Sequence, residues 1–138
     1  MRKLGLMFLL LVLLVVACGG GGEEKKAEPT AASGVTGDAA QGEELFKQTT
    51  IGSQAGCITC HSLEPDKVLV GPSMAGIADR AGSRVAGESA EQYLRQSILN
   101  PDAYTVEGFA AGVMPAGLAD ALSDQQVADL VAYLLTLK

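Results

Sequence analysis

The sequence contains no tryptophan and only one histidine, His61, and these absences limit the chemistry that it can support. A single histidine excludes any bis-histidine metal centre built within one chain. The three cysteines and His61 together just reach the four ligands that a closed structural zinc site requires. Positive charge is also scarce, because 10 basic residues face 16 acidic ones and the net charge is −6. Nucleic acid and anionic lipid headgroups are therefore poor candidates as partners.

The longest apolar run, Leu4 to Ala17, is shorter than the roughly 20 residues that a membrane-spanning helix needs. Two basic residues precede it, as in the charged region and short apolar region of a secretory signal. The run ends in Val15-Val16-Ala17-Cys18, which resembles the lipobox of bacterial lipoproteins. That resemblance implies that residues 1–17 form a signal peptide and that Cys18 becomes lipidated. An uncleaved, short membrane anchor is the alternative.

Residues 18–37 are predicted to form a flexible tether, since they are mostly Gly, Glu, Lys, Ala, Pro, Thr and Ser and cannot bury a core. The remaining residues, 38–138, are enough for one domain. Once residues 1–17 are removed, eight basic residues face sixteen acidic ones, a formal charge of −8. We therefore expect membrane attachment to be driven by lipid and not by charge.

The most informative motif is Cys57-Ile58-Thr59-Cys60-His61, because C-x-x-C-H is typical of a c-type haem attachment site. The two thiols, Cys57 and Cys60, can each form a thioether to a haem vinyl group, and His61 can then bind the iron as proximal ligand. Since the chain has no second histidine, methionine is the sixth ligand that we expect.

Three other chemistries use similar residues: a zinc site, a C-x-x-C redox pair and a disulfide. Zinc is disfavoured because Cys18 is assigned to lipidation, which leaves too few ligands. A redox pair is expected near a βαβ pattern, and no parallel-strand pattern is visible. Haem is the leading interpretation, with a dithiol or disulfide as the main alternative.

Three helices are predicted by capping-box patterns, in which an N-cap residue precedes a Gln by three positions. The patterns begin at Asp38, Ser89 and Ser123. The last is followed by an apolar stripe with helical spacing, and the middle one is stopped by Asn100-Pro101. No convincing strand alternation is present, so the domain is predicted to be all-α with substantial loops.

Together these features resemble class I cytochrome c over nearly all of residues 38–138. Gly42 and Phe46 on the first helix, with Leu130 and Tyr133 on the last, have the spacing of that family's crossed N- and C-terminal helices. The resemblance implies an all-α fold in which these crossed helices surround a covalently bound haem. It also implies that Gly42 lets the two helix backbones approach closely.

The same resemblance assigns further haem-binding residues. In the segment Gly71–Arg80, the Pro72 carbonyl would accept the proximal imidazole Nδ1–H, and Arg80 would face a haem propionate. Met114, in the loop before the last helix, would be the distal iron ligand, so that His61 and Met114 hold the metal. Met74 would fill a gap in the core.

The resemblance implies an electron-transfer protein with one haem c, and not an enzyme, since two protein ligands leave no open coordination site. As a lipid-anchored protein of the periplasm or the outer face of the cytoplasmic membrane, it would exchange electrons with membrane redox complexes: a quinol-oxidising complex, a terminal oxidase or a reaction centre. A haem-based ligand binder or sensor with a displaceable methionine is the alternative. A peroxidase is poorly supported without a second histidine.

The contacts of an apparent insertion, Gln48–Gly56, are not predicted by the sequence.

Overall fold

The computed structural model describes residues 34–138, so the predicted signal peptide, Cys18 and most of the tether lie outside the described residues. Six helices and one short hairpin make up this part: α1 (Ala39–Phe46), β1 (Thr50–Ile51), β2 (Gln54–Ala55), α2 (Cys57–Cys60), α3 (Ile77–Ala81), α4 (Ala90–Leu99), α5 (Leu118–Ala121) and α6 (Asp124–Leu134), with a 3-10 turn at Pro101–Ala103. The predicted helix-dominated class is confirmed. No helix within 34–138 has the length and apolar character to cross a membrane.

The three predicted helices begin at the expected residues. Ser89 and Ser123 each form a complete capping box, with Gln92 and Gln126 respectively. Asp38 caps α1 through its side chain, but its own backbone N–H donates to Asp129 Oδ1 at 2.7 Å instead of to a Gln side chain. The start of α1 is thus fastened directly to α6.

Helices α1 and α6 cross in the most extensive helix–helix contact of the described chain. A Cβ at position 42 would lie 1.9 Å from the Asp129 carbonyl oxygen and 2.8 Å from Tyr133 Cβ, so only glycine fits there. The Phe46 and Tyr133 rings pack beside this crossing with centroids 5.6 Å apart. The expected close approach at Gly42 is confirmed, and it offsets the conformational freedom that a helical glycine loses on folding.

A two-stranded antiparallel hairpin in the 48–56 segment is the main departure from the predicted all-helical domain. Thr50 pairs with Ala55 and Ile51 pairs with Gln54. Gly52 occupies the turn with a φ of 58°, the left-handed conformation that tight hairpin turns require. Each strand has only two residues, too few to produce the alternation by which strands are recognised in a sequence.

The core lies between the crossed helices and α4, with Leu130 and Val127 of α6 almost completely buried. On one side of this core the loops open into a cavity, and Phe46, Leu94 and Leu130 contribute to its wall. Helices α1, α4 and α6 therefore form the base against which the loops carry the candidate site.

Candidate cofactor site

The predicted site residues Cys57, Cys60, His61 and Met114 all line one cavity. Its empty volume is about 1180 Å³, including the solvent at its mouth. The wall is predominantly apolar, and Asp102 is the one acidic side chain among its lining residues. A large apolar cavity with a few convergent polar groups is the usual form of a cofactor site.

Helix α2 places both cysteine side chains on the cavity. Its single turn begins at Gly56, whose carbonyl accepts hydrogen bonds from the Thr59 N–H at 3.1 Å and the Thr59 hydroxyl at 2.6 Å. Residues three apart share a helix face, so Cys57 and Cys60 point to the same side. Both thiols are free. The spacing therefore presents two attachment points to one bound group.

The geometry around Cys57 and Cys60 gives little support to the alternatives to haem, namely a dithiol redox centre or a zinc site. Burial, the largest cause, raises the pKa of Cys57 to about 11, whereas reactive C-x-x-C pairs have lowered thiol pKa values. Within residues 34–138 no three His, Cys, Asp or Glu side chains are grouped as a metal site would need. The raised pKa of the Cys57 thiol thus disfavours a dithiol redox centre, and the described residues supply no cluster of zinc ligands around it.

His61 is held in one orientation by the loop that follows it. Its Nδ1 lies 2.8 Å from the Pro72 carbonyl oxygen, and because a carbonyl only accepts, Nδ1 carries the proton. Burial, partly offset by this hydrogen bond, lowers the pKa of His61 below its usual value. The neutral ring therefore keeps a lone pair on Nε2, the form that binds a metal. The predicted contact between His61 and Pro72 is present.

Gly71 is a site residue that the sequence reasoning missed. A Cβ at position 71 would lie 2.5 Å from His61 Cε1 and 2.8 Å from its Nδ1. The Gly71 N–H also donates to the Cys60 carbonyl at 2.9 Å. Glycine therefore lets the loop backbone lie directly against the imidazole. The signal in the sequence was the glycine immediately before Pro72.

Two methionines line the cavity, from different segments of the chain. Met74 is buried and belongs to the core, as predicted, and it follows two residues after the proline that holds His61. Met114 is only half-buried and comes from the loop between the 3-10 turn and α5. Its thioether is thus supplied by a segment separate from the one that carries His61.

Arg80 is not brought to the cavity wall. Its guanidinium donates from Nη1 to the Ala75 carbonyl and from Nη2 to the Ser73 carbonyl, so it fastens the loop that carries Pro72 and Met74. Burial lowers the pKa of Arg80. A contact with a haem propionate remains a prediction, while the contact with the loop is part of the fold.

The residues fit a covalently attached haem. Two free thiols on one helix face, an imidazole of fixed tautomer and a second thioether donor all surround an apolar cavity. These are the groups that c-type attachment and His/Met ligation use. The mouth of the cavity is marked by Val70 and Val113, which line it and are 55% and 48% exposed.

Comparison with known proteins gives one family and several relatives. The cytochrome c family model matches residues 39–138. Cytochrome c2 of Rhodopseudomonas palustris is 33% identical over 126 residues, which cover 73% of this chain and 99% of that protein. Cytochrome c2 of Blastochloris viridis is 32% identical over 110 residues, covering 70% of this chain and 76% of that protein. Among solved structures, SoxXA from P. pantotrophus is similar at a TM-score of 0.47 and 27% identity, covering 76% of this chain and 85% of that one.

Proposed function

This chain belongs to the cytochrome c family, and on that premise we propose that it is a His61/Met114-ligated, membrane-tethered carrier of single electrons. The family membership makes it an electron-transfer protein with one covalent haem c, and not an enzyme. The axial ligand pair, the tether and the redox partners are the parts of this proposal that go further. The haem iron supplies the one-electron couple when the group is bound.

One observation carries the ligand assignment: Cys57, Cys60, His61 and Met114 converge on a single apolar cavity from two separate segments. His61 keeps Nε2 free because Nδ1–H is used by Pro72. Met114 is the better candidate for the second iron ligand, since Met74 is buried in the core on the loop that holds His61. Two protein ligands would keep small molecules off the metal, and methionine raises the reduction potential.

The apolar wall has a second role, which is to keep water from the bound group. When the ligands are fixed in a site of low dielectric, the geometry of the site changes little between the two oxidation states. The surrounding apolar shell also tunes the reduction potential of the bound group. Val70 and Val113 leave the mouth of the cavity apolar and open to solvent. We propose that electrons enter and leave through this mouth.

The tether and the partners are proposed from the sequence. A lipid on Cys18 would hold the domain at the membrane surface in the periplasm, where tethering itself raises the effective concentration of a membrane partner. Cytochrome c2 relatives support redox complexes as partners. A reaction centre, a quinol-oxidising complex and a terminal oxidase are the candidates. Mass spectrometry of the mature protein should find acylated Cys18 as its first residue, and an intact 1–17 segment would contradict the lipid anchor.

The ligand assignment is tested by comparing Met114→Ala with Met74→Leu in the holoprotein. Both methionines line the cavity, but only Met114 is proposed to bind iron. Met114→Ala should remove the weak far-red absorption of the ferric protein, lower the reduction potential and admit carbon monoxide to the ferrous protein. Met74→Leu should leave all three unchanged. The reverse result would move the distal ligand to Met74.

A sensor or ligand binder with a displaceable methionine is the other candidate from the sequence. The half-buried position of Met114 on a loop is the observation that keeps it in view. It predicts rapid carbon monoxide binding by the unmodified ferrous protein, which the carrier does not.

A further inference from the structure

The hairpin in the 48–56 segment is fastened at its base to the haem-motif helix. The Gly56 N–H donates to the Thr49 carbonyl at 2.8 Å, so the residues that enter and leave the hairpin are hydrogen-bonded to each other. A Cβ at position 56 would lie 1.9 Å from the Gln48 carbonyl oxygen, so this closure requires glycine. Gly56 is also the N-cap of α2 and accepts the Thr59 hydroxyl at 2.6 Å. The base of the hairpin is therefore hydrogen-bonded to the first residue of the turn that carries Cys57.

The other end of the hairpin lies against the segment that follows Met114. A Cβ on Gly52, in the turn, would lie 3.1 Å from Ala121 Cβ of α5. The Gln54 amide lies beside Gly117, where an added Cβ would come within 2.7 Å of its Nε2. Ile51, which pairs with Gln54 across the hairpin, is only 3% exposed and belongs to the core. The hairpin thus packs on α5 and on the residue before it.

Helix α5 is joined by backbone hydrogen bonds to Pro115 and Ala116, the two residues that follow Met114. The Leu118 N–H donates to the Pro115 carbonyl at 3.4 Å, and the Ala119 N–H donates to the Ala116 carbonyl at 3.3 Å. Leu118 is 3% exposed and lines the cavity. The position of α5 therefore limits where the Met114 thioether can lie.

We propose that the β1–β2 hairpin positions Met114. The hairpin spans from the base of α2 to α5, and it thereby holds the loop that carries Met114 in place beside the cavity. Ile51 and Gln54 are the positioning residues, and neither binds the cofactor. The inference rests on the proposed ligation by Met114. It assigns a role to the 48–56 segment, which connects the two halves of the site.

The direct experiment replaces Thr50–Ala55 with a single glycine in the full-length holoprotein. The 2.8 Å hydrogen bond between Gly56 and Thr49 shows that this junction needs little rearrangement. The haem should remain covalent, since α2 is untouched. The far-red absorption of the ferric protein should weaken, and carbon monoxide should bind the ferrous protein about tenfold faster, because a larger fraction of molecules has Met114 off the iron.

A matched pair of point variants separates positioning from loss of stability. Ile51→Ala and Leu45→Ala remove the same number of carbon atoms from side chains that are 3% and 7% exposed. Each should lower the thermal unfolding midpoint by a similar amount, because each leaves a cavity of similar size. Only Ile51→Ala should accelerate carbon monoxide binding and weaken the far-red absorption, because Ile51 belongs to the hairpin whereas Leu45 lies on α1; neither residue lines the cavity. If the shortened protein does not retain haem, this pair decides alone.

Two results would overturn the proposal. One is wild-type far-red absorption and carbon monoxide kinetics in the shortened hairpin, and the other is an equal effect of Leu45→Ala and Ile51→Ala. Met114→Ala measured alongside distinguishes this failure from that of the proposed function. If Met114→Ala opens the site while the hairpin variants do not, the ligation stands and the positioning role is wrong. If Met114→Ala changes nothing, the ligation itself is wrong.

Discussion

The loop that holds His61 and the loop that carries Met114 line the same cavity but are restrained very differently. On the His61 side, Gly71 and Met74 donate backbone hydrogen bonds to Cys60 and Ser62, and Arg80 binds two further carbonyls. On the Met114 side, the Gly112 N–H donates to Asp102, and the other bonds are local turns. Regions with fewer buried contacts open at lower free energy. The distal side should therefore open first on heating or on mutation.

The glycines of the two loops express the same contrast. Gly71 lies directly against the His61 imidazole, and the absence of a side chain there allows the backbone and the ring to approach each other. Gly108 and Gly112 have φ values of 88° and 75° with open space around them, so they serve the path of the chain. A packed loop fixes the proximal ligand, and a turning loop presents the distal one. This difference is consistent with a site in which His61 is fixed by its own loop, whereas the position of Met114 depends on the elements packed against its loop.

The largest effect is expected outside both loops, at the helix crossing that supports them. Gly42→Val would force a side chain into the Asp129 carbonyl, so we expect a loss of about 3 kcal/mol or more in the free energy of unfolding. Both sides of the cavity should loosen together, because α1 and α6 line it jointly. Gly34→Val is the control, since nothing lies within 4 Å of that position. Thermal unfolding of the two holoproteins makes the measurement, and equal midpoints would contradict the crossing.

The next largest effect is expected on the proximal side. Gly71→Ala should destabilise the holoprotein by about 1–3 kcal/mol and reduce haem incorporation, because the added methyl group overlaps the His61 ring. Gly82→Ala is a suitable comparison, because its nearest neighbour would be at an ordinary 3.4 Å and its φ is −71°. Chemical denaturation followed by haem absorbance tests both. A proximal loop that accepts the methyl group without loss would end the claim that it is tightly packed.

A smaller effect is expected from the Asp102 contact on the distal side. Asp102→Asn should weaken the 2.7 Å hydrogen bond from Gly112 by about 1 kcal/mol, which corresponds to about fivefold faster carbon monoxide binding. The unfolding midpoint should barely move. Glu107→Gln removes an exposed carboxylate from the same loop and controls for charge. Should both variants behave alike, the Asp102 contact does not restrain Met114.

The sequence predicted most of the fold because its signals were local. The Ser89 and Ser123 capping boxes, the stop at Asn100-Pro101 and the C-x-x-C-H spacing are each set by residues close together in the chain. Gly42 was also predicted, through the family's helix crossing. The contact of Pro72 with His61 came from the same resemblance.

What the sequence did not reveal depends on contacts that no sequence pattern encodes, either between distant segments or within irregular loops. The hairpin strands are two residues long, and their packing on α5 joins positions more than 60 residues apart. The close approach of the Gly71 backbone to the His61 ring is a steric contact that no periodic pattern in the sequence predicts. Arg80 was expected at a propionate, which stays a prediction, and no pattern specified its hydrogen bonds to the Ser73 and Ala75 carbonyls or the φ of 67° at Gly76, which follows Ala75.

Carbon monoxide binding to the unmodified ferrous holoprotein tests the central claim most directly. If His61 and Met114 both hold the iron, binding should be slow and limited by release of Met114, and it should become rapid in Met114→Ala. Stopped-flow absorbance measures both rates on the same preparation. Rapid binding by the unmodified protein, with the Met114→Ala rate unchanged from it, would contradict the electron carrier and favour the ligand binder.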